Sequence, residues 1–250
     1  MIKYGLKLWT SNSNLFRKVF FAYRKNFFDF IELYHDANKK VDFEKVKILS
    51  KIPTFIHNTH DSGFHEFKIG NKQLAIWKKT KQLADSFKSP YIIVHPGKSL
   101  DFDEFKKNFK RINDLRILIE NMSGLDVYGD LTLGYNLSQL EKIRKISKVC
   151  FDLEKAVKSA CYQKIDYKEF IVDSIKSLKP FYFHISGGDK NTTQDEHKNL
   201  WEANFDLKWM KNELLKISKD KDIFLVFEVP KNKNNLNNDF RNIEYFKGIN

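Results

Sequence analysis

Apolar residues gather in eight short runs, at 4–9 (YGLKLW), 27–34 (FFDFIELY), 53–59 (PTFIHNT), 91–97 (YIIVHPG), 116–121 (RILIEN), 148–153 (KVCFDL), 181–186 (FYFHIS) and 223–230 (IFLVFEVP). The runs are rich in β-branched and aromatic residues and apolar on both faces, as are strands of a parallel sheet covered by helices. The longer stretches between them are amphipathic and Lys-rich. In 73–87, Leu74, Trp77, Leu83 and Phe87 fall near one face, and 103–112, 137–146, 167–178 and 209–217 behave similarly. Asp101, Ser138 and Asp166 stand where N-caps are expected. Eight strands alternating with helices over 250 residues predict a (β/α)8 TIM barrel, a single domain spanning 1–250. A doubly wound open sheet is the competing architecture.

The strand ends favour the barrel. Glu32, His57, His95, Glu120, Asp152, His184 and Glu228 finish or closely follow seven of the eight runs. In a barrel these C-terminal ends converge on one mouth, where active sites are built. A lone strand His is more often a hydrogen-bonded core residue than a ligand. A buried carboxylate is costly unless paired or metal-bound, and Glu120 and Glu228 both follow apolar runs. The coincidence across strands is therefore the signal. Such a donor set suits Zn²⁺ or Mn²⁺, and a bridging carboxylate can hold two ions. After the seventh run, GGDKNTTQDEH places Asp195 and His197 two apart, either as ligands of one ion or in a solvated turn.

Hydrophobic residues make up 42% of the chain and charged residues 30%, which excludes a fibre or a wholly disordered chain. No apolar run approaches the roughly 20 residues of a membrane span. Residues 1–14 lack the apolar stretch of a signal peptide, and Cys150 and Cys161 form neither a disulfide framework nor a metal-type pair. A reduced, cytoplasmic chain is expected. There are 44 Lys+Arg against 32 Asp+Glu, a net charge of +12. That excess suits a polyanionic partner. The abundance of Lys, Asn, Phe and Ile also fits the coding bias of an AT-rich genome.

Six ordered motifs resemble the xylose-isomerase-like barrel superfamily, and within it the endonuclease IV family of apurinic/apyrimidinic (AP) endonucleases. They are HPG at 95–97, IEN at 119–121 followed by Leu133-Gly134-Tyr135, VCFD at 149–152, His184, D-x-H at 195–197 and FEVP at 227–230. The resemblance implies hydrolysis of the DNA backbone at abasic sites, a DNA-repair reaction, at a trinuclear zinc centre. It implies a first metal on His57, His95 and Glu120, and a second on Glu120, Asp152, His184 and Glu228. A third would use Asp195, His197 and a His three residues after Asp152.

Here the chain departs from the family. Lys155 stands where the third metal's His is expected, and an ammonium cannot ligate. Two zinc ions are therefore expected, with Lys155 near enough to pair with Asp195. Lys7 replaces a His expected on the first strand. His57 and His60 both suit the third strand: His57 fits the strand end, and His60-Asp61-Ser62 copies a family string more literally. Glu120, Glu228 and Lys155 are the catalytic candidates, and Lys7, Glu32, Tyr34, Phe64 and Trp201 the substrate contacts. The alternative is a single-metal sugar or sugar-phosphate isomerase or epimerase using Glu120, Asp152, His184 and Glu228. A barrel that only binds nucleic acid or a partner is the third reading.

Overall fold

The computed structural model describes residues 1–60, 70–98 and 102–249. Eight parallel strands close into a barrel in chain order. They are β1 (Ile2–Trp9), β2 (Phe30–Tyr34), β3 (Thr54–His57), β4 (Ile92–Val94), β5 (Ile117–Glu120), β6 (Lys148–Asp152), β7 (Tyr182–Ile185) and β8 (Ile223–Phe227). Between and after them lie α1 (Phe16–Arg24), α2 (Phe43–Val46), α3 (Asn71–Ser86), α4 (Phe102–Ile112), α5 (Leu137–Arg144), α6 (Leu153–Gln163), α7 (Tyr167–Leu178), α8 (Leu207–Ile217) and α9 (Asn237–Gly248). Each apolar run thus contains one strand, and the barrel forms rather than the open sheet. No described helix is long and apolar enough to cross a membrane.

Local signals explain most boundaries. α7 occupies 167–178 as expected, and the Asp166 carboxylate accepts from the backbone N–H groups of Lys168 and Glu169 at 2.8 and 2.9 Å. The cap of α5 is Asn136, not Ser138: its side-chain oxygen accepts from Gln139 N at 2.9 Å, and Ser138 already lies inside the helix. Asp101 lies outside the described residues. In α3, Trp77 and Leu83 are buried as predicted but Leu74 is exposed. Phe102, Phe105 and Phe109 stack along α4, with Phe105 fully buried.

The two-residue period of the strands sorts the interior into layers. Phe30, Phe55, Ile93, Leu118, Cys150, Tyr182 and Val226 form an apolar cluster inside the barrel. The Phe30 and Phe55 rings are 4.9 Å apart. A Cβ at Gly5 would lie 2.4 Å from the Phe30 ring, so glycine in β1 makes room for it. Alternate residues such as Ile31, Leu33, Ile56, Ile119, Phe151 and Leu225 point outward into the core shared with the helices. Two residues beyond the inner cluster, each strand places a polar residue: Lys7, Glu32, His57, His95, Glu120, Asp152, His184 and Glu228. The apolar layer closes the barrel beneath this ring and keeps water from entering from below.

Candidate metal centre

All eight ring residues are buried, so their charges must be satisfied by one another or by a ligand. Glu120 is the centre of the arrangement. Its Oε2 lies 3.2 Å from His57 Nε2 and 2.9 Å from His95 Nε2. Its Oε1 lies 3.0 Å from His184 Nδ1 and 2.6 Å from the Lys155 ammonium. His184 Nδ1 is also 2.9 Å from Glu228 Oε1. One carboxylate therefore faces a different donor set with each oxygen.

Two details fix the imidazoles. His57 Nδ1 is 2.7 Å from the Asn58 carbonyl, which can only accept, so this nitrogen carries a proton. His57 Nε2 is the ring nitrogen that faces Glu120. His184 Nε2 donates to Glu32 Oε2 at 2.8 Å, so Nδ1 is the ring nitrogen that faces Glu120 and Glu228. Glu32 also accepts from the Tyr182 hydroxyl at 2.7 Å. This corrects Glu32 as a substrate contact: with no exposed surface, it orients His184 from below. Asn121 ties the ends of β5 and β6 together, donating to Asp152 O at 3.0 Å and accepting from Asp152 N at 2.6 Å.

Burial and charge oppose each other across the ring. Burial alone raises the Glu120 carboxyl, but Lys155 and His184 outweigh it and hold the group well below the usual range. Burial is likewise outweighed at Glu32 by His184 and Lys7, which bring it down to about 2. Asp152 goes the other way: burial pushes it up to about 6, against Lys155 and with Glu120 and Glu228. Burial, with Lys155 nearby, depresses His95 to about 4, which keeps the imidazole neutral as ligation requires. Lys7 pairs with Glu228 and, at 3.2 Å, with Glu32 Oε1.

Among the described residues, the donor set fits metal ions in three overlapping groups: His57, His95 and Glu120; Glu120, Asp152, His184 and Glu228; and Glu32, His57, His184 and Glu228, with the ligand atoms of each within 4.8 Å of one another. Asp152 Oδ2 is buried without a hydrogen-bond partner, an atom that a bound cation would satisfy. The position expected at Asp195 and His197 does not fit: His197 Nε2 lies 3.1 Å from both Asp195 Oδ1 and Glu228 Oε2, and the ammonium beside Asp195 is that of Lys155. This ammonium is 3.8 Å from Asp195 and much nearer Glu120.

The remaining expected residues divide. Tyr34 and Lys7 line the mouth with Trp9, His60, His197 and Glu228, around a cavity of about 680 Å³. His60 donates its backbone N–H to the Tyr34 hydroxyl at 3.1 Å, and its ring stacks on His95 with centroids 4.3 Å apart. Trp201 is not at this cavity, which corrects it as a substrate contact. It packs on α9 against Tyr245, under the Arg241 guanidinium 4.1 Å from its ring centroid. Phe64 lies outside the described residues. The sequence reading missed Glu154 and Lys158, both fully buried on α6. The signal was present: two lysines three apart in the otherwise apolar stretch LEKAVKSACY.

No protein-family model and no curated protein matches the chain. Solved structures do. Endonuclease IV from Thermus thermophilus superposes with a TM-score of 0.73 at 16% identity, covering 98% of this chain and 97% of its own. A putative xylose isomerase from Rhodospirillum rubrum gives 0.68 at 11% identity, covering 100% and 98%. D-psicose 3-epimerase from Clostridium cellulolyticum gives 0.60 at 11%, covering 99% and 91%. At such identities the likeness carries the fold. Closed in chain order into a barrel of eight parallel strands, this chain has the (β/α)8 fold of the endonuclease IV and xylose-isomerase-like structures it superposes on.

Proposed function

We propose that the protein is a metal-dependent phosphodiesterase that cleaves the DNA backbone at abasic sites in DNA repair. One observation carries this reading: Glu120 faces His57 and His95 with one oxygen and His184 with the other. A single ion on Glu120, Asp152, His184 and Glu228 leaves His57 and His95 outside its ligand set. His57, His95 and Glu120 would hold one ion, and Glu120, Asp152, His184 and Glu228 a second, with zinc suited to the mixed imidazole and carboxylate donors. Such a pair supplies Lewis-acid stabilisation of a phosphoryl group and lowers the pKa of water. The chain itself does the positioning. Glu32 holds His184, Asn58 holds His57, and Lys7 balances Glu228 at the cavity wall. The net charge of +12 favours a polyanionic substrate, so cleavage should weaken as salt rises.

Elemental analysis of protein purified without added metal, together with nicking of a duplex bearing one abasic analogue, tests the reading. Two ions and salt-sensitive nicking support it. One ion with no nicking transfers the assignment to the single-metal isomerase or epimerase. That second reading has its own support: the four-residue donor set is complete, and the mouth cavity has the size of a small-molecule site. Mn²⁺ would suit it as well as zinc.

The same measurement separates the two strand-three histidines. His57→Ala is expected to remove one metal per chain, because His57 Nε2 faces Glu120. His60→Ala should leave the count near that of the parent, since His60 meets His95 through its ring face. The reverse result would make His60 the ligand.

A further inference from the structure

The loop between β7 and the short helical turn at 200–202 would have to close a third metal position, yet two lysines of α6 reach into it. Its base is closed by the backbone: Gly187 N donates to Lys198 O at 2.8 Å, and Lys198 N to Gly187 O at 2.9 Å. From α6, the Lys158 ammonium donates to Asp189 O and Thr192 Oγ1, each at 2.7 Å, and to Glu196 Oε2. An ammonium has three protons, and all three are used. Glu196 Oε2 also accepts from Asp189 N at 2.7 Å, so the ion pair pins both limbs of the loop. The cluster is close-packed. A Cβ at Gly188 would lie 2.7 Å from Glu154 Oε1, and one at Gly187 would lie 1.9 Å from Asn199 O.

One turn earlier on α6, the fully buried Lys155 sits among Glu120, Asp152 and Asp195, at 2.6, 3.8 and 3.8 Å. It lies where the third ion's charge would be needed. His197 Nε2 lies between two carboxylates, 3.1 Å from Asp195 Oδ1 and 3.1 Å from Glu228 Oε2. His197 lines the mouth cavity with a left-handed backbone, φ 48°. A residue other than glycine is strained in that region, and the fastened loop must overcome that strain.

We propose that this loop is fastened by Lys155 and Lys158 as fixed cations in place of a third metal ion, leaving His197, oriented by Asp195, to touch the substrate directly. The fastening stands independently of the reaction; only the substrate contact rests on the phosphodiesterase reading.

Hydrogen exchange of residues 187–198, with and without a chelator, tests the fastening. Protection in the parent should be unchanged when metal is removed, whereas Lys158→Met should speed exchange about tenfold or more. Faster exchange after chelation of the parent overturns the proposal, and this arm needs no variant to fold. Zinc content provides the second test. His197→Ala should keep the parent's zinc count, and loss of one zinc overturns the proposal. Lys155→His supplies the absent third ligand and should bind one more zinc than the parent; no gain would show that Lys155 does not hold that ion's place. For the contact, His197→Ala should lower kcat/KM on the abasic duplex by about 10–100-fold with loop exchange unchanged. An unchanged kcat/KM overturns the contact alone. A parent that nicks no abasic duplex overturns the phosphodiesterase reading and the contact with it, while exchange and zinc counts still decide the fastening.

Discussion

Glu120→Gln is expected to reduce activity by on the order of 10³-fold or more and to lower the metal content. Four cationic or imidazole groups converge on this carboxylate, and each of its oxygens serves a different donor set. The amide keeps the shape but loses the charge and turns an N–H₂ donor toward one of those sets. Loss of a bridging ligand removes several kcal/mol of transition-state charge stabilisation, and about 1.4 kcal/mol corresponds to each tenfold in rate. The loss should be seen in both the phosphodiesterase and the isomerase readings. Measuring turnover and zinc on the same sample checks it. Full turnover at the parent's zinc count would remove Glu120 from the site and dissolve the two-metal arrangement.

The second large effect concerns stability. Lys7→Met is expected to destabilise the metal-free protein by about 3–5 kcal/mol, the usual consequence of removing one partner of a buried ion pair. Glu228 and Glu32 both pair with this ammonium, and Glu32 has no exposed surface from which water could replace it. In a domain of this size each kcal/mol shifts the melting temperature by about 2–4 °C, so a fall of about 10 °C should appear in a thermal melt. Adding zinc should recover part of it, because an ion that binds only the folded state stabilises that state. A melting temperature within about 2 °C of the parent would show that His184 balances both carboxylates without Lys7.

Lys7 also shows how a residue of the ring can be misread along the chain. Seen along the chain, it is a substitution at a place where a histidine was expected. In the barrel it occupies the same ring as Glu32, His57, His95, Glu120, Asp152, His184 and Glu228, two residues beyond the inner apolar layer on its own strand. The sequence contained that ring as an i, i+2 relation: Phe30 to Glu32, Phe55 to His57, Leu118 to Glu120, Cys150 to Asp152, Tyr182 to His184 and Val226 to Glu228. Strands apolar on both faces conceal it, because inward and outward positions carry similar residues. The cap of α5 was missed for a related local reason. Both Asn136 and Ser138 are good capping types, and only the extended backbone at Asn136 distinguishes them.

The amino-acid sequence by itself determined the alternation of eight strands with helices, and hence the barrel. It also determined which residue types stand at the strand ends, because a two-residue period and the polarity of each run's last position are properties of a single segment. What only the tertiary structure decided is how those ends share their charges. The placement of Glu32 beneath His184, the convergence of four groups on Glu120, and the hold of Lys158 on the loop that carries Asp195 and His197 join segments far apart in the chain, whereas the approach of Lys155 to Asp195 was expected from the sequence. Trp201 was drawn to α9 by the same kind of packing. Such contacts follow from barrel closure and strand register, which bring distant residues within a few ångströms. At those distances burial and charge decide which atom pairs with which, and no periodicity within one segment records the outcome.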